Sequence, residues 1–145
     1  MADVTEGSTE IAATPRDVMT VITDFDAYAE WAGVQGAEVL SRDDAGRPAT
    51  VAMKVSQMGV EAAYTLAYTY ADDDGGCSWV TTEASGAVKD VAGEYALEPA
   101  AEGTRVTYRL ALELAIPLPG ILKRQAQKQV IATALGGLKK RVESR

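Results

Sequence analysis

Tyr64, Tyr68 and Tyr108 sit in runs that alternate apolar and polar residues, which sets Tyr64 and Tyr68 on one face of a strand and Tyr108 among Val106, Leu110 and Leu112 on another. A neutral phenol both donates and accepts a hydrogen bond. Such a set can present hydroxyls to a ligand carbonyl, or each can bond a buried backbone group. Trp79 and Tyr95 fall on neighbouring strands and either line the same space or fill a core. Met53 and Met58 offer a soft, adaptable wall. Gln57 can orient a polar ligand group, or lie at an exposed strand end. From the last helix Val130 and Ala134 face this surface, bordered by Gln129 and Thr133.

Other chemistries lack their residues. The chain has no histidine and one cysteine, Cys77. Ser–His–Asp and Cys–His catalysis are therefore excluded, and a zinc site of the usual kind has no ligands. No metal and no cofactor is expected. The obvious carboxylates, Asp90 and Glu94, alternate away from Tyr95 and Leu97 and so face solvent. Arg105 and Arg109 alternate away from Tyr108 in the same way. Asp72-Asp73-Asp74 lacks the pattern of a calcium loop and reads as a solvated turn.

The elements that must position these side chains are legible in order. Val4 to Ile11 reads as a strand. Thr14-Pro15-Arg16-Asp17 is a helix start, with Val18, Val21, Ile22 and Phe25 following at helical spacing, which predicts a helix from Pro15 to about Phe25. Asp26 to Trp31 reads as a second short helix capped by Asp24 or Asp26. Six strands follow, at 37–42, 49–57, 60–70, 77–83, 88–98 and 104–114, separated by turn residues. Ile121 to Val142 is a long helix on which Leu122, Ala126, Val130, Ala134, Leu138 and Val142 recur every fourth residue, widened by Ile131 and Leu135. Gly136-Gly137 costs it roughly 1 kcal/mol per glycine, which points to a packing or ligand requirement, or to a kink.

Six strands joined by short turns make an antiparallel meander whose apolar face must be covered. Only the last helix, about 33 Å long, can cover it. A curved sheet wrapped on a helix of small residues leaves a gap, filled either by the tyrosine rings or by a ligand. The whole is one α+β domain over 1–145, of the size of a single domain. The single cysteine excludes an internal disulfide and fits a reducing cytoplasm. Met1 to Glu10 is polar and acidic, without a leader-like apolar run. Residues 1–118 carry 20 acidic and 7 basic side chains, and residues 119–145 carry 1 and 7. The acidic body argues against nucleic acid as a partner. The basic helix allows weak contact with an anionic surface, although its cations are spread around it and also suit the helix dipole. The oligomeric state is not legible.

Three segments carry a resemblance. Ile11-Ala12-Ala13-Thr14-Pro15 leading to Val21-Ile22-Thr23-Asp24, then Tyr28-Ala29-Glu30-Trp31, then Gly93-Glu94-Tyr95-Ala96-Leu97 with Pro117-Leu118-Pro119 before the long helix, resemble the START-like (SRPBCC) superfamily of helix-grip proteins. The branch of polyketide cyclase/dehydrase-like and coenzyme-Q-binding-like proteins is the nearest. The resemblance implies a deep apolar pocket between sheet and helix, for a lipid, isoprenoid quinone or aromatic polyketide-like molecule. With the residue pattern, this reads as a binding or carrier domain with Met53, Gln57, Tyr64, Tyr68, Trp79, Tyr95, Tyr108, Val130 and Ala134 around the ligand. A cyclase or dehydratase is the first alternative and a ligand-free protein-interaction module the second.

Overall fold

The computed structural model describes residues 4–32, 34–57, 60–115 and 119–144, with the side chains of Gln57 and Val60 outside the described set. Met58 and Pro117-Leu118 lie outside the described residues as well. Strand β1 (Val4–Ile11) leads to helix α1 (Pro15–Ile22), a 3-10 turn (Phe25–Ala27) and the short helix α2 (Tyr28–Trp31). Strands β2 (Gly36–Arg42), β3 (Pro48–Gln57), β4 (Val60–Tyr70), β5 (Gly76–Gly86), β6 (Val88–Ala100) and β7 (Gly103–Leu114) follow, then helix α3 (Gly120–Glu143). The strands form one antiparallel sheet in the order β1-β7-β6-β5-β4-β3-β2. The expected six-strand meander is therefore present, and β1 returns to lie beside β7.

Alternation sets the two faces of this sheet. On β7, Val106, Tyr108, Leu110 and Leu112 are buried, while Arg105 is exposed and Arg109 half-exposed. On β4, Ala62 and Leu66 are buried between the partly buried Tyr64 and Tyr68. The inner face meets α1, α2 and α3 in one core, in which Val18, Ile22, Val51, Val106 and Leu138 are fully enclosed.

The first helix starts as expected, with Thr14 Oγ1 accepting from the Asp17 N–H at 3.2 Å and Pro15 at its first position. It ends at Ile22 rather than Phe25. Thr23 Oγ1 donates back to the Met19 carbonyl at 2.8 Å, and the Asp24 N–H reaches the Val21 carbonyl at 3.2 Å, which tightens the last turn. The chain then restarts at Phe25, with Asp24 at the N-cap but without a side-chain capping bond. This restart turns both Phe25 and Tyr28 into the core.

Helix α3 meets the sheet on a face rotated from the expected stripe. Its buried residues are Gln127, Ile131, Ala134, Leu135, Leu138 and Val142, whereas Leu122 and Val130 are 46% and 42% exposed. Gln129 and Thr133 are exposed, so they bring no polar atoms inward. The cause lies in β1, whose inward positions Thr5, Gly7 and Thr9 are small. A Cβ on Gly7 would stand 2.7 Å from Ile131 Cγ2, so only glycine lets α3 settle here. Gln127 Nε2 fixes the setting by donating to Thr5 Oγ1 at 2.6 Å and the Leu110 carbonyl at 3.2 Å. Gly137 has a packing reason too: a Cβ there would lie 2.1 Å from the Trp31 carbonyl oxygen. Gly136 has open space around it.

Candidate functional site

Between the inner sheet face, α2 and α3 lies a cavity of about 70 Å³. From the sheet it is lined by Met53 of β3, Tyr64, Leu66 and Tyr68 of β4, Trp79 of β5, Val91 and Tyr95 of β6 and Tyr108 of β7. From the helical side it is lined by Tyr28, Ala32, Val34, Val130 and Ala134. Eight of the nine residues singled out in the sequence thus meet around one space. The ninth, Gln57, has its side chain outside the described residues. Sequence reasoning missed Tyr28, Ala32, Val34, Leu66 and Val91. Leu66 was available from the alternation that placed Tyr64 and Tyr68. Val91 shares a strand face with Tyr95 and was available in the same way.

The rings fill most of the gap between sheet and helix. Trp79 sits at the centre, with ring centroids 5.5 Å from Tyr68, 5.5 Å from Tyr95 and 5.6 Å from Tyr108. Tyr95 and Tyr108 meet edge to face at 4.7 Å. Phe25 extends the cluster to the short helices, 5.1 Å from Tyr68 and 4.5 Å from Tyr28. The indole can lie here because residue 93 is glycine: a Cβ there would stand 2.8 Å from Trp79 Cζ2. Trp31 anchors the short helices, packed edge to face on Tyr28 at 4.9 Å.

The tyrosine hydroxyls divide into two groups. Tyr28 donates to the Ile22 carbonyl, and Tyr70, at the rim, donates to the Pro48 carbonyl at 2.6 Å beneath the Arg47 guanidinium. Among the described residues, the hydroxyls of Tyr64, Tyr68, Tyr95 and Tyr108 make no hydrogen bond to protein. Burial pushes the Tyr64 hydroxyl up to about 12 and those of Tyr68, Tyr95 and Tyr108 well above the ordinary tyrosine range. They remain neutral donors near neutral pH. The buried Cys77 thiol is likewise raised by desolvation to about 12, so it is no thiolate nucleophile.

Among the described residues no charged side chain lines the cavity. Glu94 pairs with Arg109 at 2.9 Å on the outer face, where Arg109 also reaches Glu6 at 3.3 Å. Asp90 is exposed. Asp72–Asp74 form an exposed 3-10 turn, and among the described residues no group of three or more His, Cys, Asp or Glu side chains converges as a metal site would require. At the C-terminal end of α3, Arg141 pairs with Glu30 at 3.0 Å, and Lys139 bonds Glu143 at 3.1 Å and the Glu10 carbonyl at 2.6 Å, so these two cations tie the helix to its neighbours. Among the described residues no helix is long and apolar enough to cross a membrane.

Comparison with known proteins places this arrangement. The family model described as polyketide cyclase / dehydrase and lipid transport matches residues 1–143. No match was found among curated proteins. Among solved structures, a START superfamily protein from Mycobacterium smegmatis superposes with a TM-score of 0.88 at 20% identity, covering 97% of each chain. A STAR-related lipid transfer protein from Xanthomonas axonopodis gives 0.71 at 20% identity, over 96% of this chain and 85% of that one. The Zhui aromatase/cyclase from Streptomyces gives 0.69 at 15% identity, over 100% and 96%. At these identities the likeness is one of fold, the α+β helix-grip fold with a seven-stranded sheet on a long C-terminal helix.

Proposed function

Because the chain belongs to the polyketide cyclase/dehydrase and lipid transport family, we propose that it binds and carries a neutral hydrophobic small molecule in the cavity between the sheet and α3. One observation carries the reading. Four uncharged hydroxyl donors without a protein partner among the described residues border an otherwise apolar space with no charged lining. Such a set suits a ligand that is mostly apolar and offers one or two carbonyl acceptors, as a quinone or an aromatic polyketide does. Apolar burial then supplies most of the affinity and the hydroxyls fix orientation.

The cavity at about 70 Å³ is well below the roughly 300–1,000 Å³ of small-molecule sites. Binding therefore displaces side chains that now fill the space. Native mass spectrometry of the purified protein tests the reading, and a co-purified apolar molecule is the expected result. The second arm uses 2-methyl-1,4-naphthoquinone as probe. Tyr64→Phe, Tyr68→Phe and Tyr108→Phe should each weaken its binding by about 0.5–1.5 kcal/mol, one hydrogen bond apiece. Unchanged binding in all three, with no co-purified molecule, refutes the proposal. A cyclase would show the opposite pattern on its own substrate: turnover cut by roughly 100-fold in one variant with binding kept.

A further inference from the structure

The sheet is not equally bonded along its length. The β4–β5 ladder runs from Ala62↔Gly86 to Tyr70↔Cys77, and the β6–β7 ladder from Val88↔Leu114 to Ala100↔Gly103. Between β5 and β6 the ladder runs only from Gly76↔Ala96 to Trp79↔Gly93 and stops. The cause is local. Thr65 faces Glu83 while Leu66 faces Thr81, so Thr82 is an extra residue in β5. This bulge bends β5 next to the point where its pairing with β6 stops. A second irregularity, between Val88 and Asp90, bends β6 on the other side of the gap.

One side chain spans the gap. Thr81 Oγ1 donates to the Val91 carbonyl at 2.6 Å and accepts from the Val91 N–H at 2.7 Å. The hydroxyl thus supplies both bonds that a backbone partner would supply. Among the described residues, no further ladder pair joins β5 to β6 beyond it. The two strands it ties together contribute Trp79 and Val91 to the cavity wall.

We infer that Thr81 is the positioning residue that keeps this wall of the cavity narrow, and that the β5–β6 seam is where the cavity widens to take a ligand. The inference rests on the binding role proposed above. A cavity this small must expand to admit its ligand, and expansion costs least where the fewest backbone bonds have to part. Parting β5 from β6 beyond the Trp79↔Gly93 pair breaks one hydroxyl's two bonds. It leaves the β4–β5 and β6–β7 ladders intact and frees Val91 to move outward from the cavity it lines. Exposed residues follow at once along β5, from Thr82 to Gly86, so the outer part of the seam is already in water.

The test compares Thr81→Val, which keeps the shape and loses the hydroxyl, with Thr81→Ser, which keeps the hydroxyl. Amide hydrogen exchange read by NMR reports the seam, and stopped-flow fluorescence of the neutral dye N-phenyl-1-naphthylamine reports entry. In Thr81→Val, exchange at Val91 should rise about tenfold or more, with amides of β1 and β7 unchanged, and dye association should speed up. Thr81→Ser should restore the wild-type values of both. Unchanged exchange at Val91, or faster exchange without faster dye association, overturns the inference. If the wild-type protein takes up neither the dye nor the naphthoquinone, the binding role fails. Entry by the seam then falls with it, while exchange at Val91 still decides whether Thr81 holds the strands together.

Discussion

Ala134→Val should stabilise the protein and block its cavity at the same time. Ala134 is buried on α3 and borders a void of about 70 Å³. Two added methyl groups, at about 0.8 kcal/mol each when buried, contribute about 1.6 kcal/mol. Valine in a helix interior gives back about 0.6 kcal/mol. The expected net gain is about 1 kcal/mol, read by urea denaturation as a higher midpoint at unchanged slope. Naphthoquinone binding should fall sharply in the same variant, because the added methyls occupy the space the ligand needs. A variant destabilised by the roughly 1–3 kcal/mol typical of overpacking, with binding intact, would show that the void is not beside Ala134 and would refute the reasoning.

Gly137→Ala should be costly, since its Cβ would fall 2.1 Å from the Trp31 carbonyl oxygen; a loss of about 1–3 kcal/mol in urea denaturation is expected. Gly136→Ala, with nothing near it, should instead stabilise by up to about 1 kcal/mol; equal behaviour of the two would contradict the close approach of α3 to α2. Stability should also fall as pH rises above about 9. The Cys77 thiol and the five cavity tyrosines have folded pKa values raised above their unfolded ones, so the unfolded chain loses these protons first and is favoured as pH rises. Urea midpoints from pH 8 to 11 check this, and a flat profile would show that these groups ionise freely in the folded state.

Strict alternation made the cavity wall readable. The spacing of Tyr64, Leu66 and Tyr68, and of Val106, Tyr108 and Leu110, admits only one choice of inner face once an apolar partner exists. The segment from Thr14 to Phe25 was readable at its start, where Thr14 and Pro15 act locally, and less so at its end. There, the burial of Phe25 and Tyr28 together decides where the chain turns. The rotation of α3 was not readable from α3. Its fourth-residue pattern admits the ridge through Leu122 and Val130 as readily as the one through Ile131 and Leu135. The choice is made by Gly7 and Thr5, more than a hundred residues away in sequence. Cavity volume was beyond reach for a similar reason, since it depends on how Trp79 lies over Gly93. The Thr81 tie was hidden because a threonine at a bulge looks like any other strand threonine.

The clasp between β1 and α3 bears on how this protein is made. Gln127 to Thr5 and Glu143 to the Ala12 amide are bonds across 122 and 131 residues of chain, and α3 also buries Ile131 and Leu135 over Gly7. During synthesis the meander is complete once Leu114 has emerged, but α1 and α2 alone cover its inner face until α3 is free as well. Over this interval the nascent chain presents a curved apolar trough of the kind that holding chaperones bind. Slowing translation within the α3 codons should therefore lower soluble yield more than the same pause placed before β4.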